Sequence, residues 1–583
     1  MVPRDRPSLH DIYAEPSSPV DMEERLQRLE LLHRIGVALS AEQNKDRLVE
    51  MILLEAKNLC NADGGTLYLK DEKEELRFAI LLNDSLGLAL GGTTGKPIPF
   101  PPIPMKDPIT GAPNHKNVAS YAGSLRQSVS IPDAYAAEGF DFSGTKAFDQ
   151  RNGYRSQSFL TIPLTNSQGL LIGVLQLLNA RDRVTQKVIP FPIEDQLIVE
   201  SLASQAGIAL DNQLLLDGQK ALLESFIKMI AAAIDAKSPY TGDHCERVPV
   251  LAEMIAQSLC ETKTGTFAGF SLNEEEWYEL RIAAWLHDCG KVVTPVHVMD
   301  KATKLETIFD RIEVVRARFE VLRKEAKIRY LERALADGSI SANGAKEAYE
   351  SELKALDSDL AFLEVANVGG EFLSPEKQAR IREIGAKSLV IGGQQVRLLS
   401  EDEVKNLEIS RGTLTPDERL VINGHMVQTI KMLNALPFPR NLRRVPEYAG
   451  GHHEKMDGTG YPKGLFAGEM SIPARMLAIA DVFEALTAAD RPYKPAKKLS
   501  EAMRIMGFMK QDNHLDPELF DHFVRSGVYR TYAERYLAPE LIDTVDEAAL
   551  LAIRPKPFAL PDVTIRRERW DSFLPPYNTP RPH

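Results

Sequence analysis

The stretch Gly451-His452-His453-Glu454-Lys455-Met456-Asp457-Gly458-Thr459-Gly460-Tyr461-Pro462 decides how the rest of the chain is read. Adjacent imidazoles are poor core fillers, because each has a polar nitrogen that needs a partner once buried. The glycines that follow let backbone approach a ligand closely. The pattern points to a metal site that holds a phosphate, provided other ligands come from elsewhere in the chain.

Candidates lie on both sides of it. Tyr240 to Val248 carries His244 at the head of a predicted helix. The apolar helix Leu280 to Leu286 runs into His287-Asp288-Cys289-Gly290-Lys291, a pair that is costly to bury unpartnered, next to a cation. Thr415-Pro416-Asp417-Glu418 opens a helix bearing His425. Asp481 sits in the apolar helix Ile472 to Thr487, where its carboxylate needs a cation to stay ionised. Imidazole and carboxylate without thiolate suit Fe, Mn, Zn or Ni. His297, His514 and His522 read as ordinary core or surface residues.

The chain has 583 residues, 44% hydrophobic and 26% charged, enough for two to four globular domains. A net charge of -12 with no basic stripe argues against a nucleic-acid polymer or an anionic membrane as partner. Four cysteines without metal-thiolate spacing fit a reducing compartment. With no signal peptide and no long apolar run, a cytoplasmic location is expected.

Residues 1–20 read as a disordered leader. Helices are expected around Leu26 to Leu39 and Asp46 to Cys60, and strands at Thr66–Leu69, Leu76–Leu82, Ser158–Pro163 and Leu170–Leu178. Ser130 to Tyr135, Arg155 to Pro163 and Gly173 to Asn179 resemble a GAF sensor domain, an α+β fold assigned to 21–212. Cyclic-nucleotide-binding GAF domains carry Asn-Lys, Phe and Asp-Glu. Here Asn179, Phe191 and Asp195 match, while Ala180 and Gln196 replace Lys and Glu. The resemblance thus implies a small-molecule site at those three residues, or a fold used for dimerisation and another signal. Residues 192–236 are nearly all helix formers. They read either as one linker helix pairing with its twin in a homodimer or as two core helices broken near Asp217-Gly218.

His287-Asp288-x-Gly290-Lys291, His425, the 452–462 stretch, Asp481, Arg491-Pro492-Tyr493-Lys494 and Asn513 to Pro517 together resemble the HD-GYP branch of the HD metal-dependent phosphohydrolases. The resemblance implies an all-α domain, assigned to 237–528, that hydrolyses cyclic di-GMP to pGpG or GMP. It implies one metal held by His244, His287, Asp288 and Asp481 and a second held by His425, His452 and His453, with Asp288 bridging. Fe or Mn is expected before Zn or Ni. Tyr240 replaces the glutamate of three-metal members, so two metals are expected. Asp288 and Lys291 would be catalytic, the lysine contacting a phosphoryl oxygen. Asp457, Gly460 and Tyr461 would border the substrate, and Arg491 and Lys494 would anchor phosphate or guanine unless they form a solvated helix end. Hydrolysis of another cyclic nucleotide, or a non-catalytic cyclic-dinucleotide receptor, are the alternatives.

The chain departs from that family between Lys304 and Gly412, assigned as an insertion over 305–412. Ile308, Ile312, Val315, Phe319 and Leu322, then Tyr349, Leu353, Leu356, Leu360 and Leu363, recur at coiled-coil spacing. Asp337 to Gly344 reads as the turn of a helical hairpin, and Ser400-Glu401-Asp402-Glu403 as a capping box. Such a hairpin would cover the metal cleft, contact the GAF unit or merely embellish the surface. Residues 529–583 read as a tail, partly helical and then Pro- and Arg-rich (Phe573-Leu574-Pro575-Pro576-Tyr577).

Overall fold

The computed structural model describes residues 19–107, 109–237, 244–336, 343–370, 372–488 and 497–559. The leader through residue 18, Tyr240, most of the turn Asp337–Gly344, Arg491, Lys494 and the end of the tail from 560 lie outside the described residues. The chain divides into two compact units, Met1–Leu222 and Leu223–His583. No helix among the described residues is long and apolar enough to cross a membrane.

In the first unit, α1 (Pro19–Ala41) and α2 (Lys45–Leu59) precede β1 (Ala62–Lys70) and β2 (Glu75–Asn83). Asn44 caps α2 by accepting from the Arg47 amide at 3.0 Å. Then follow β3 (Leu88–Gly91), β4 (Ile103–Pro104), α3 (Val118–Leu125), β5 (Val129–Ile131), α4 (Ser143–Asn152), β6 (Phe159–Thr165), β7 (Leu171–Arg181) and β8 (Val188–Ile189). The antiparallel sheet runs β3-β2-β1-β7-β6-β5, with β4 on β2 and β8 on β7. The four long strands were legible because they alternate or are strongly apolar. The short edge strands carry too few residues for a period.

Strand alternation sends Leu67, Leu160, Leu175 and Leu177 toward Leu48, Ile52 and Leu53 of α2 and Leu202 and Leu210 of α5 (Ile193–Lys237). A Cβ on Gly207 of α5 would lie 2.3 Å from the Thr165 carbonyl oxygen, so glycine is what lets helix and strand meet. Helix α5 is unbroken for 45 residues. The alternative of two helices fails because a single Gly218 costs only about 1 kcal/mol relative to alanine.

The second unit is helical around one large core. It contains α6 (His244–Cys260), α7 (Glu274–Leu286), a 3-10 turn at Cys289–Val293 and α8 (Val296–Met299). The insertion supplies α9 (Ile312–Ala336), α10 (Asn343–Val368), α11 (Pro375–Gly385), the hairpin β9 (Ser388–Ile391) and β10 (Gln394–Arg397), and α12 (Glu401–Leu407). Next are α13 (Pro416–Ala435), α14 (Val445–Gly450), α15 (Ile472–Thr487), α16 (Leu499–Gln511), α17 (Pro517–Arg525), α18 (Val528–Tyr536) and α19 (Glu547–Ala552). Tyr529, Tyr532 and Ala533 of α18 and Leu550 of α19 belong to the main core, so the domain extends past residue 528 and the tail assigned from 529 starts too early. The i, i+3, i+4 spacing of those three residues was the available signal.

The insertion has its own core, with Ile312, Val315, Phe319, Leu356 and Leu363 meeting across α9 and α10. Ile308 is a correction: it is 97% exposed in the loop before α9, not part of the seam. A β-hairpin and α11 also extend the expected pair of helices. The hairpin turns on Gly392 and Gly393, both at positive φ as a two-residue turn requires. Ser400 and Glu403 do form a capping box. Buried Lys301 ties the base of the insertion to α13: its Nζ donates to Asn406 Oδ1 and to both oxygens of Glu418, each at 2.8 Å.

Candidate metal centre

Five segments converge. His244 opens α6; His287 caps the C-terminus of α7, and Asp288 follows it; His425 lies inside α13; His452 and His453 follow α14; Asp481 lies inside α15. These side chains make two four-residue groups that share Asp288. One is Asp288, His425, His452 and His453; the other is His244, His287, Asp288 and Asp481. Within each group the ligand atoms lie within 4.8 Å of one another. Asp288 Oδ1 faces His425 Nε2 at 3.3 Å and His452 Nε2 at 3.9 Å. Its Oδ2 faces His287 Nε2 at 3.2 Å and His244 Nε2 at 3.6 Å. Asp481 Oδ1 is 3.3 Å from His244 Nε2.

The donor set fits divalent cations. His287, His425 and His452 each place Nδ1 against the carbonyl three residues earlier, on Ala284, Ile422 and Ala449. A carbonyl accepts only, so Nδ1 carries a proton and Nε2 is the nitrogen left to meet a cation. Those three Nε2 atoms and Asp288 Oδ1 are buried without a hydrogen-bond partner. Buried polar atoms are rarely left so, and four of them around the shared Asp288 carboxylate fit bound cations.

The electrostatics suit ligands too. Burial pushes the Asp288 carboxyl up, but the charges of Lys291 and His287 prevail and hold it well below the ordinary range. Asp481 is likewise held low against burial by the His244 and His287 imidazoles beside it. Burial and the His287 charge push His452 down to about 4. Burial and the two neighbouring imidazoles take His453 well down. Against burial, the same two carboxylates push His287 up to about 9 and His244 well above the usual imidazole range, so a cation binding there displaces their protons, since ionised carboxylates and neutral imidazoles are the forms that bind metals.

Supporting contacts that sequence reasoning missed surround these groups. Glu484, one turn after Asp481, bonds His244 Nδ1 and accepts from Arg247 Nε at 2.7 Å. Glu454, buried behind the histidine pair, accepts from the amides of Lys463 at 2.7 Å and Leu465 at 2.9 Å, folding the glycine loop back on itself. A Cβ on Gly290 would lie 1.9 Å from the His425 carbonyl oxygen. The Gly290 amide donates to Thr429 Oγ1 at 2.9 Å, so this turn and α13 meet backbone to backbone. Lys237, the last residue of α5, donates from Nζ to the carbonyls of Lys291, Val292 and Thr294. The i+3 spacing of Asp481 and Glu484 was a readable signal; Lys237 was not, because its partners lie more than fifty residues away.

Other expected residues fall as follows. Lys291 Nζ donates to Asp288 Oδ2 at 2.5 Å. The Tyr461 ring stacks on His453 at 4.9 Å between centroids. Asp457 Oδ1 accepts from Thr459 within the loop, and a Cβ on Gly460 would overlap Glu454, so both shape the loop. Of the residues assigned to a GAF ligand, Asn179 is buried and structural: its Oδ1 accepts from the Gln157 and Ser158 amides, and its Nδ2 donates to Tyr154 and Arg155. Phe191 belongs to the core on the α2 face of the sheet. Neither they nor Asp195 line the cavity of the first unit.

Fold and site together define a protein with an α+β sensor-type domain and a helical domain carrying a histidine–aspartate metal centre. In comparisons with known families, residues 44–210 match the GAF domain and residues 401–519 the HD domain. The chain therefore carries a GAF domain followed by an HD domain. The HD match holds His425, His452, His453 and Asp481, while His244, His287 and Asp288 precede it across the insertion. The chain is 42% identical over 115 residues to a 3'3'-cGAMP-specific phosphodiesterase of Vibrio cholerae, covering 20% of this chain and 26% of that protein. It is 47% identical over 119 residues to a cyclic di-GMP phosphodiesterase of Pseudomonas aeruginosa, covering 20% and 28%. A second Vibrio cholerae 3'3'-cGAMP-specific phosphodiesterase matches at 25% over 327 residues, 56% of this chain and 42% of that protein. The chain thus spans under half the length of each. A GAF domain structure from a Coxiella burnetii phosphotransferase covers 33% of this chain and 98% of its own, at 15% identity and a TM-score of 0.26.

Replacing Glu484 by Gln should weaken metal binding by about 10–100-fold, since a carboxylate on the far nitrogen orients and strengthens an imidazole ligand. Metal content after dialysis, with circular dichroism as the folding control, measures it.

Proposed function

We propose that the chain is a metal-dependent phosphodiesterase that hydrolyses cyclic di-GMP, under control of its GAF domain. The observation that carries this reading is the pair of four-residue groups sharing Asp288. The similarity of the HD segment to phosphodiesterases of two cyclic dinucleotides supports the substrate class.

His244, His287 and Asp481 would hold one divalent ion and His425, His452 and His453 the other, with Asp288 common to both groups. When bound, such a pair neutralises phosphodiester charge and activates water for in-line attack at phosphorus. Lys291, kept cationic by Asp288, sits where it neutralises a phosphoryl oxygen. Tyr461 offers a ring edge to a base while its face braces His453. Attack opens one phosphodiester bond, and the departing ribose 3′-oxygen takes a proton from Lys291 or from water. Hydrolysis of both bonds gives GMP; hydrolysis of one gives pGpG.

Two features support regulation through α5. Lys237 grips the turn that carries Lys291, so movement of this helix moves the substrate-facing cation. Further up, Ile208, Asn212, Leu215, Gln219, Leu222, Phe226, Met229 and Ala233 recur at 4-3 spacing, and every one is exposed. This is the seam of a coiled coil, and polar Asn212 and Gln219 within it fix register, as expected of a parallel homodimer.

With Mn²⁺ or anaerobic Fe²⁺, purified protein should cleave cyclic di-GMP faster than 3'3'-cGAMP, and Asp288→Asn should lower turnover by about 10³-fold or more. Tight binding with no cleavage by any metal-loaded form would mean a receptor instead. Leu222→Arg should convert dimer to monomer in light scattering; an unchanged mass rejects the seam. Lys237→Met should lower kcat several-fold at unaltered metal content, and equal kcat would remove α5 from the regulatory route.

A further inference from the structure

The first unit contains a cavity of about 280 Å³ on the sheet face opposite α2. Its walls carry six aromatic rings, those of Tyr68, Phe78, Phe100, Phe142, Phe148 and Phe159, interleaved with polar side chains. Phe100 bridges the sheet and α4, with ring centroids 5.5 Å from Phe78 and 6.2 Å from Phe148. It comes from the loop between β3 and β4 and forms one lip of the opening.

Several of the polar side chains in the wall are already engaged. Gln176 accepts from the Tyr68 hydroxyl at 3.2 Å and donates to Thr161 at 3.0 Å. Asn83 Oδ1 accepts from the Leu86 amide at 2.9 Å, and Ser156 donates to Asp149 at 2.8 Å. None of the described lining residues is Lys, Arg or His. The one charged group is the Asp141 carboxylate, exposed at the rim and held below its usual range by the Ser143 hydroxyl and amide. A phosphate or carboxylate entering here would lose water, find no cation and meet a like charge.

We infer that this cavity is the sensory site of the GAF domain and takes a neutral, planar aromatic molecule of about two fused rings, not a cyclic nucleotide or other anion. The size follows from packing: an apolar cavity of about 150 Å³ accommodates benzene, so nearly twice that volume suits a bicyclic ring. Tilted and edge-on rings around the space match the geometry that aromatic faces prefer. The inference is independent of the reaction in the second unit.

The test uses the full chain with 2-naphthol, its anionic counterpart 2-naphthalenesulfonate, and cyclic GMP, by calorimetry and thermal unfolding. 2-Naphthol is expected to bind and to raise the unfolding midpoint, and both anions to bind at least about tenfold more weakly. Gly144 lines the cavity, and a Cβ there meets nothing within 4 Å, so Gly144→Phe adds a ring at the wall without a clash at its Cβ. It should abolish naphthol binding. Phe148→Ala, at a half-buried helix position, should weaken binding several-fold and serves if the filled variant does not fold. Either anion binding as tightly as naphthol, no binding of any probe, or naphthol binding unaffected by both substitutions would overturn the assignment.

Discussion

The buried carboxylate of Asp288 is the constraint around which the second unit is built. A carboxylate in an apolar interior is strongly unfavourable unless cations and donors surround it. Here Lys291 supplies one charge from the adjoining turn, and imidazoles approach both oxygens from three helices and a loop. Asp481 repeats the problem nearby, and His244 and His287 answer it. Because the chain leaves several of these atoms without a protein partner, its own hydrogen bonds do not complete the site. The grouping of donors around it is one that could hold divalent metal.

What keeps that arrangement rigid is ordinary backbone geometry. At the end of a helical turn the carbonyl three residues back is within reach of an imidazole Nδ1, so the same contact recurs at His287, His425 and His452 without dedicated side chains. His244 opens its helix, and its Nδ1 meets the Glu484 carboxylate instead. Gly290 removes the one Cβ that would keep α13 from the Asp288 turn. Small residues and backbone groups thus set the distances, and the ligands inherit them.

The insertion and α5 both reach the same centre from a distance. Lys301 couples α12 of the insertion to the N-terminal turn of α13, the helix of His425. Lys237 couples α5 to the turn of Lys291. Both are lysines whose ammonium groups bridge separate segments. Neither lysine touches the ligand groups themselves.

The sequence alone determined which residues could be ligands. Paired histidines before a glycine loop, His-Asp at the end of an apolar helix and an aspartate within another are local anomalies, visible because polar groups interrupt apolar periodicity. It also determined the long strands and the insertion's helical pair, whose apolar residues repeat at a fixed period. It did not decide between one helix and two across Gly218, and it missed the short strands, the β9–β10 hairpin and the burial of α18. Tertiary structure decided how seven side chains divide into two groups, that Glu484 and Lys237 serve them, and that Asn179 braces a strand rather than facing a ligand. Those outcomes depend on contacts between residues far apart in the chain, whose energies exist only once the segments have packed.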